Sequence, residues 1–212
     1  MNRTRSPTPA TSRPPRVRRL RRKELPVDTV ALARFLLGKL VVRELPRARL
    51  MGRIVETEAY LVGDAACHAF RGMTERNRSL FRAHGHAYVY LAYGSSWMLN
   101  VSGEPEGTGA GVLIRALEPV SGVAAMERAR GTRARRDLLR GPGRLAQAFA
   151  IDRALDGTDL CARGPIWLGD DGADPDAPGA SVRIGITKDA ERILRFYVRG
   201  SRYVSGPARL NP

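Results

Sequence analysis

The spacing of apolar and polar positions changes period several times along the chain, and those changes predict its elements. Asp28 stands as the N-cap of an amphipathic helix through Ala33, Phe35 and Leu36 that stops near Gly38. Runs rich in Val, Ile, Leu and Tyr, bounded by Gly, Pro or Ser, predict strands at 39–44, 50–60, 86–93, 97–102, 110–117, 182–186 and 194–198. Short helices are predicted at 75–81, 120–130 and 144–151, and residues 169–179 read as a surface loop. No internal repeat occurs. Strands that follow one another without regular helical crossovers predict an α+β fold with a largely antiparallel sheet rather than a doubly wound one.

Residues 1–24 break this patterning. They are rich in Arg, Pro, Ser and Thr, hold no acid before Glu24, and predict a disordered basic arm ahead of a single folded domain at 25–212. The chain carries a formal +15, yet nine of its 36 basic residues precede Glu24, and the remaining 27 against 21 acids leave +6. That balance favours a polyanion partner without naming one, the plainer reading being solubility with arginine-biased codon usage. The arm suits sequence-independent phosphate contacts, though an organelle transit peptide shares its composition. No run of about 18 apolar residues is present to span a membrane, and the chain start lacks the apolar stretch of a secretory signal. Cys67 and Cys161 fit neither a zinc spacing nor a disulfide framework, so a reducing, cytoplasmic setting is expected.

Several chemistries lack their motifs. Gly103, Gly107, Gly109 and Gly111 match neither common phosphate-binding loop, and Gly-x-Ser-x-Gly is absent. His68, His84 and His86 form no metal pattern, so no metal and no organic cofactor is expected. Lysine is confined to Lys23, Lys39 and Lys188, against 33 arginines, which leaves few amine nucleophiles.

Three segments could carry chemistry. In Ile54-Val55-Glu56-Thr57-Glu58-Ala59-Tyr60, alternation puts Glu56, Glu58 and Tyr60 on one strand face. Two acids there are costly if that face is buried, and unremarked if it is the wet face of an edge strand. Tyr88, Tyr90 and Tyr93 place half of the six tyrosines within six residues, either as stacking surfaces or as an ordinary core strand. Arg115 is a single guanidinium in the apolar run Val112-Leu113-Ile114-Arg115-Ala116-Leu117, which implies an ion pair, a positioned functional group, or both.

Order and spacing carry more than any segment alone. Val55-Glu56-Thr57-Glu58-Ala59-Tyr60 is followed by Ala66-Cys67-His68, Arg76-Asn77-Arg78 and Tyr88-Val89-Tyr90-Leu91-Ala92-Tyr93-Gly94. Leu99-Asn100-Val101, Val112 to Pro119, Gly141-Pro142-Gly143-Arg144-Leu145 and Phe196-Tyr197-Val198-Arg199-Gly200-Ser201 complete the series. Over residues 26 to 206 the chain resembles the 3-methyladenine (alkyladenine) DNA glycosylase family. The resemblance implies one compact domain with a curved antiparallel sheet, flanking short helices and a β-hairpin that enters DNA.

It further implies Glu58 as general base, with Arg115 helping to hold the attacking water. Tyr60, His68 and Tyr90 are implied to stack around an extruded base, with Asn100 crowding the purine 2-amino position. Tyr93 is implied as the wedge entering DNA, with Arg76, Asn77 and Arg144 near the backbone. The expected activity is hydrolytic release of alkylated or deaminated purines from duplex DNA by a monomer, with water as nucleophile and no lyase step. Ser95 and Ser96 depart from the family's larger residues, and Glu75 stands where proline is frequent. Two other functions compete: a non-catalytic basic nucleic-acid-binding module, and a sugar-cleaving enzyme using Glu56 and Glu58, about 6.5–7 Å apart along a strand, as paired carboxylates.

Overall fold

The computed structural model describes residues 17–175 and 178–211. Among the described residues nine strands form one antiparallel sheet: β1 (Arg18–Arg19), β2 (Leu40–Leu45), β3 (Ala48–Tyr60), β4 (Ala87–Ala92), β5 (Ser96–Ser102), β6 (Gly111–Ser121), β7 (Ile166–Asp170), β8 (Gly179–Ser181) and β9 (Arg195–Tyr197). The main path runs β1-β7-β2-β3-β6-β5-β4, and β9 joins β8 to β3. The sheet curls around three helices, α1 (Thr29–Phe35), α2 (Val123–Arg130) and α3 (Pro142–Ala148). The expected α+β class and antiparallel sheet are thus borne out.

β3 organises the fold because it is long enough to serve two neighbours on one side. Its first half pairs with β2 and its second half with β9, while β6 runs along the other side. The β3–β6 register is broken: Val55 and Arg115 have no opposite residue, between the pairs Ile54–Leu117, Glu56–Ala116 and Thr57–Ile114. Such irregularities bend strands and re-aim side chains. Here they turn Arg115 towards the carboxylates of β3.

The core lies between sheet and helices. Leu32 and Leu36 from the α1 region meet Ile54, Ile114, Leu117, Phe149 and Phe196, all essentially without solvent contact. Each such side chain contributes about 1.5–3 kcal/mol through burial. Asp28 caps α1 as expected, its carboxylate accepting the Ala31 N–H at 2.7 Å.

Four expectations change. The arm's residues 1–16 lie outside the described residues, but 17–24 are built into the fold: β1 pairs with β7 and Leu20 is 1% exposed. The helix at 75–81 is a single 3-10 turn at Arg78–Phe81. The segment at 182–186 forms no strand; it is a loop, because its Arg183 side chain and Ile184 N–H are drawn to acids of the β3 region. Ile166–Asp170 is a strand that periodicity missed, and it takes the first two residues of the expected loop; Asp176 and Ala177 of that loop lie outside the described residues.

Candidate active site

A cavity of about 380 Å³ opens between the end of β3, the β4–β5 hairpin and the 182–189 loop. That volume sits near the lower end of small-molecule pockets, about 300–1,000 Å³, and suits one flat ring system. Its walls include Tyr60, His68, Tyr90, Asn100, Leu113 and Arg115, so one space collects all five expected base-binding and water-holding residues other than Glu58.

Glu58 lies directly behind the wall and is fully buried. Its Oε1 accepts the Ile184 N–H at 2.7 Å; Oε2 accepts the Tyr60 hydroxyl at 2.9 Å and Arg115 Nη1 at 3.1 Å. A carboxylate oxygen has two lone pairs, so Oε1 keeps one acceptor position. Burial pushes the Glu58 pKa above the ordinary carboxylate value, while Arg115, the Ile184 N–H and the Tyr60 hydroxyl pull it back. Arg115 also contacts the Ile184 carbonyl at 3.4 Å. Among the described residues its Nη2 makes no hydrogen bond, and the side chain lines the cavity.

Glu56 shares the strand face but not the site. Its Oε1 lies 2.6 Å from Arg195 Nε and its Oε2 accepts the Ser205 N–H at 2.7 Å. It is fully buried, as Glu58 is, but Arg195 and Ser205 do not line this cavity, whereas Tyr60, Arg115 and Ile184, the partners of Glu58, all do. The paired-carboxylate scheme therefore lacks its second acid, because Glu56 is committed to Arg195 and the Ser205 N–H on the side away from the cavity lining.

The aromatic wall is ordered by contacts among its own members. His68 packs edge-on against Tyr90 at 4.4 Å between ring centroids, and Tyr90 stacks on Tyr88 at 5.2 Å. His68 Nδ1 lies 2.9 Å from the Tyr88 hydroxyl. Burial, with the charge of Arg76, lowers the His68 pKa and so favours the neutral ring. Burial pushes Tyr90 up to about 12. Cys67 also lines the cavity, but burial raises its pKa and disfavours a thiolate. Asn100 donates through Nδ2 to the Tyr88 carbonyl at 3.1 Å, which orients its amide.

Tyr60 is held more tightly than a free stacking ring. Arg183 lies 4.6 Å over its ring centroid. That guanidinium is buried, bonds both Asp64 oxygens, and donates to the Ala59 carbonyl at 3.0 Å. Sequence reasoning missed Arg183 and Arg195. The signal was present, since Val182-Arg183-Ile184 and Leu194-Arg195-Phe196 each set an arginine among apolar residues, as at Arg115.

The rim differs. Tyr93 sits at the tip of the β4–β5 hairpin, 86% exposed, with φ +52°, followed by Gly94 at +68°. Arg76 reaches the cavity mouth and donates to the Leu91 carbonyl at 3.4 Å. Arg144 lies in a second groove with Arg130, Arg140, Ser95 and Ser96, paired with Asp137 at 3.2 Å. Asn77 is corrected: it is 4% exposed, and its amide is consumed by Thr74 N–H, the His68 carbonyl and the Gly72 carbonyl. It braces the 68–77 loop instead of facing a ligand. Among the described residues no cluster of His, Cys, Asp or Glu could hold a metal, and no helix is long and apolar enough to cross a membrane.

A curled antiparallel sheet thus opens an aromatic cavity over a buried carboxylate–guanidinium pair, next to a protruding hairpin. The chain belongs to the methylpurine-DNA glycosylase family, whose profile matches residues 23–202. This bears out the resemblance and makes the protein a DNA glycosylase, a hydrolase of N-glycosyl bonds. It is 68% identical over 189 residues to a protein of Mesorhizobium japonicum, covering 89% of this chain and 91% of that one. A protein of Paraburkholderia phytofirmans is 49% identical over 191 residues, covering 90% of each chain. One of Salinibacter ruber is 48% identical over 189 residues, 84% of this chain and 91% of that one. All three carry the provisional name 3-methyladenine DNA glycosylase.

Proposed function

We propose that this protein releases alkylated or deaminated purines, of the 3-methyladenine, hypoxanthine and ethenoadenine class, from duplex DNA by flipping the nucleotide into the cavity. The reading is carried by Glu58 and Arg115, buried together at the wall of a cavity that fits one base. Extrusion costs a few kcal/mol, least for a damaged or mispaired base. Tyr93, exposed at the hairpin tip, offsets part of that cost by filling the vacated stack. Tyr60, His68 and Tyr90 bound the base, and a cationic alkylated purine gains about 0.5–2 kcal/mol from the electron-rich tyrosine faces.

Glu58 then takes a proton from a water held by Arg115, and the water attacks C1′ as the C1′–N bond breaks. The electron pair of that bond leaves with the base. Glu58 also stabilises the positive charge that develops on the sugar. Arg76 and Arg144 supply phosphate contacts from the rim, and their worth falls as salt rises.

The test is incubation with duplex oligonucleotides carrying each of the three lesions. Release of at least one base is expected; binding without any release would leave a non-catalytic DNA-binding module as the better reading. Asn100→Ser should raise guanine release relative to hypoxanthine, since Asn100 fills the volume at the 2-amino position. Equal relative rates in wild type and variant would remove that role. No Schiff base is expected, because neither Lys39, paired with Asp170 at 3.2 Å, nor Lys188 lines the cavity. Borohydride trapping of a protein–DNA adduct would contradict a water nucleophile.

A further inference from the structure

Behind the cavity four buried charges alternate in sign across three strands. Glu58 on β3 meets Arg115 on β6 at 3.1 Å; Arg115 Nε meets Glu56 on β3 at 3.4 Å; Glu56 meets Arg195 on β9 at 2.6 Å. The side chains of both acids and of Arg195 have no exposure, and that of Arg115 has 10%. The row is neutral as a whole, which is how four charges persist in a dry interior.

Its two ends differ. Of the four, Arg115 lines the cavity, and Glu58 bonds to its lining residues Tyr60 and Ile184. The far end is anchored to the C-terminal segment: Arg195 donates to the Leu210 carbonyl at 2.9 Å, the Ser205 carbonyl at 3.1 Å and Asn211 Oδ1 at 2.6 Å, and to Ser181 Oγ at 2.7 Å.

We propose that Glu56 and Arg195 are positioning residues that share Arg115 between two carboxylates and so set the proton affinity of Glu58. This rests on Glu58 being the base, but the coupling has its own readout. Arg115 faces two acids and divides its charge between them. Removing the Glu56 charge leaves Arg115 wholly to Glu58 and takes away a nearby anion, and both changes favour ionised Glu58. Removing the Arg195 charge leaves Glu56 to be neutralised by Arg115 and the Ser205 N–H, which draws Arg115 away from Glu58. The other groups that face Glu58 stay in place: Tyr60 on the same strand, Tyr90 on β4, and Arg183 and the Ile184 N–H on the 182–189 loop. Burial holds the Glu58 pKa up, Arg115 holds it down, and Glu56 adds to the rise.

The experiment follows the Glu58 carboxyl by ¹³C NMR through a pH titration, its signal identified by loss in Glu58→Gln. Glu56→Gln is expected to lower the Glu58 titration by about one pH unit and Arg195→Met to raise it by a similar amount, the range of one close charge. Arg195→Lys, which keeps the charge, should titrate near wild type even where the transition temperature drops. An unmoved Glu58 titration in Glu56→Gln overturns the proposal, as do shifts of the same sign in the two charge-removing variants. If Arg195→Met does not fold, Glu56→Gln against Arg195→Lys still decides it. Only ionised Glu58 accepts a proton, so the acid limb of single-turnover base release should move with the NMR titration, downward in Glu56→Gln. Shifts by NMR without any matching limb would leave the coupling standing and contradict Glu58 as the base.

Discussion

The floor and the rim of the cavity are built on opposite terms. At the floor each charged group is held by the fold: Glu58 by Tyr60, Arg115 and Ile184, Tyr60 by Arg183, and Arg183 by Asp64, with the buried Nε of Arg115 and of Arg183 left without a hydrogen bond. At the rim Tyr93 exposes 86% of its surface in a left-handed backbone that costs a non-glycine residue about 1–2 kcal/mol. Burial does not explain why a tyrosine stands there. The difference teaches where the fold does its share in advance and where it waits for a partner. Groups that handle a proton and a developing charge need fixed geometry in a dry setting. A group that replaces a lost base needs to be free until DNA arrives.

The comparison can be broken at either end. Glu58→Gln keeps the shape and removes the proposed base, so single-turnover release should fall by about 10²–10⁴-fold while duplex affinity stays near wild type. A loss of affinity to match the rate would show that Glu58 holds substrate rather than activating water.

Arg183→Met leaves Asp64 buried without its guanidinium, which should cost about 3–5 kcal/mol of stability. Release should slow as well, since Tyr60 loses the cation over its ring. Thermal unfolding of the variant checks the first effect, and an unchanged transition would mean that the pair is relieved elsewhere. The Asp64 pKa is lowered overall despite burial, because Arg183 and backbone N–H groups favour the ionised form. That stabilisation is present above the unfolded carboxylate pKa and fades as pH falls through the lowered folded value.

Tyr93→Gly should separate the two regions most cleanly. Glycine accepts a positive φ without strain, so stability should rise by about 1 kcal/mol. Affinity for lesion-bearing duplex should drop by about 1–3 kcal/mol, the worth of one stacking contact. A variant that loses stability as well as affinity would mean that Tyr93 packs within the fold.

Much of this was legible in the chain. Asp28 and the following apolar stripe placed α1, and the alternation that put Glu56, Glu58 and Tyr60 on one face described β3 well, because period-2 and period-3.6 patterns report burial directly. The ordered motifs identified the family and, through it, the residues around the cavity. The segments that misled are those whose geometry answers to distant partners. Residues 182–186 have strand composition, yet Ile184 N–H is drawn to Glu58 across 126 positions. Residues 17–24 have the composition of a free arm, yet Leu20 enters the core and β1 finds β7 across some 150 positions. Asn77 stands in a motif beside arginines, but its amide closes a loop.

The sequence by itself determined most of the elements, the family, and the inventory of charges that a buried strand face would have to reconcile. Only the tertiary structure decided how they are reconciled. Glu56 and Glu58 are indistinguishable by alternation, two positions apart on the same face. They differ because β9 brings Arg195 to one while the 182–189 loop and the cavity meet the other. A charge in a dry interior takes its role from the counter-charges around it, and those come from strands far apart in the chain.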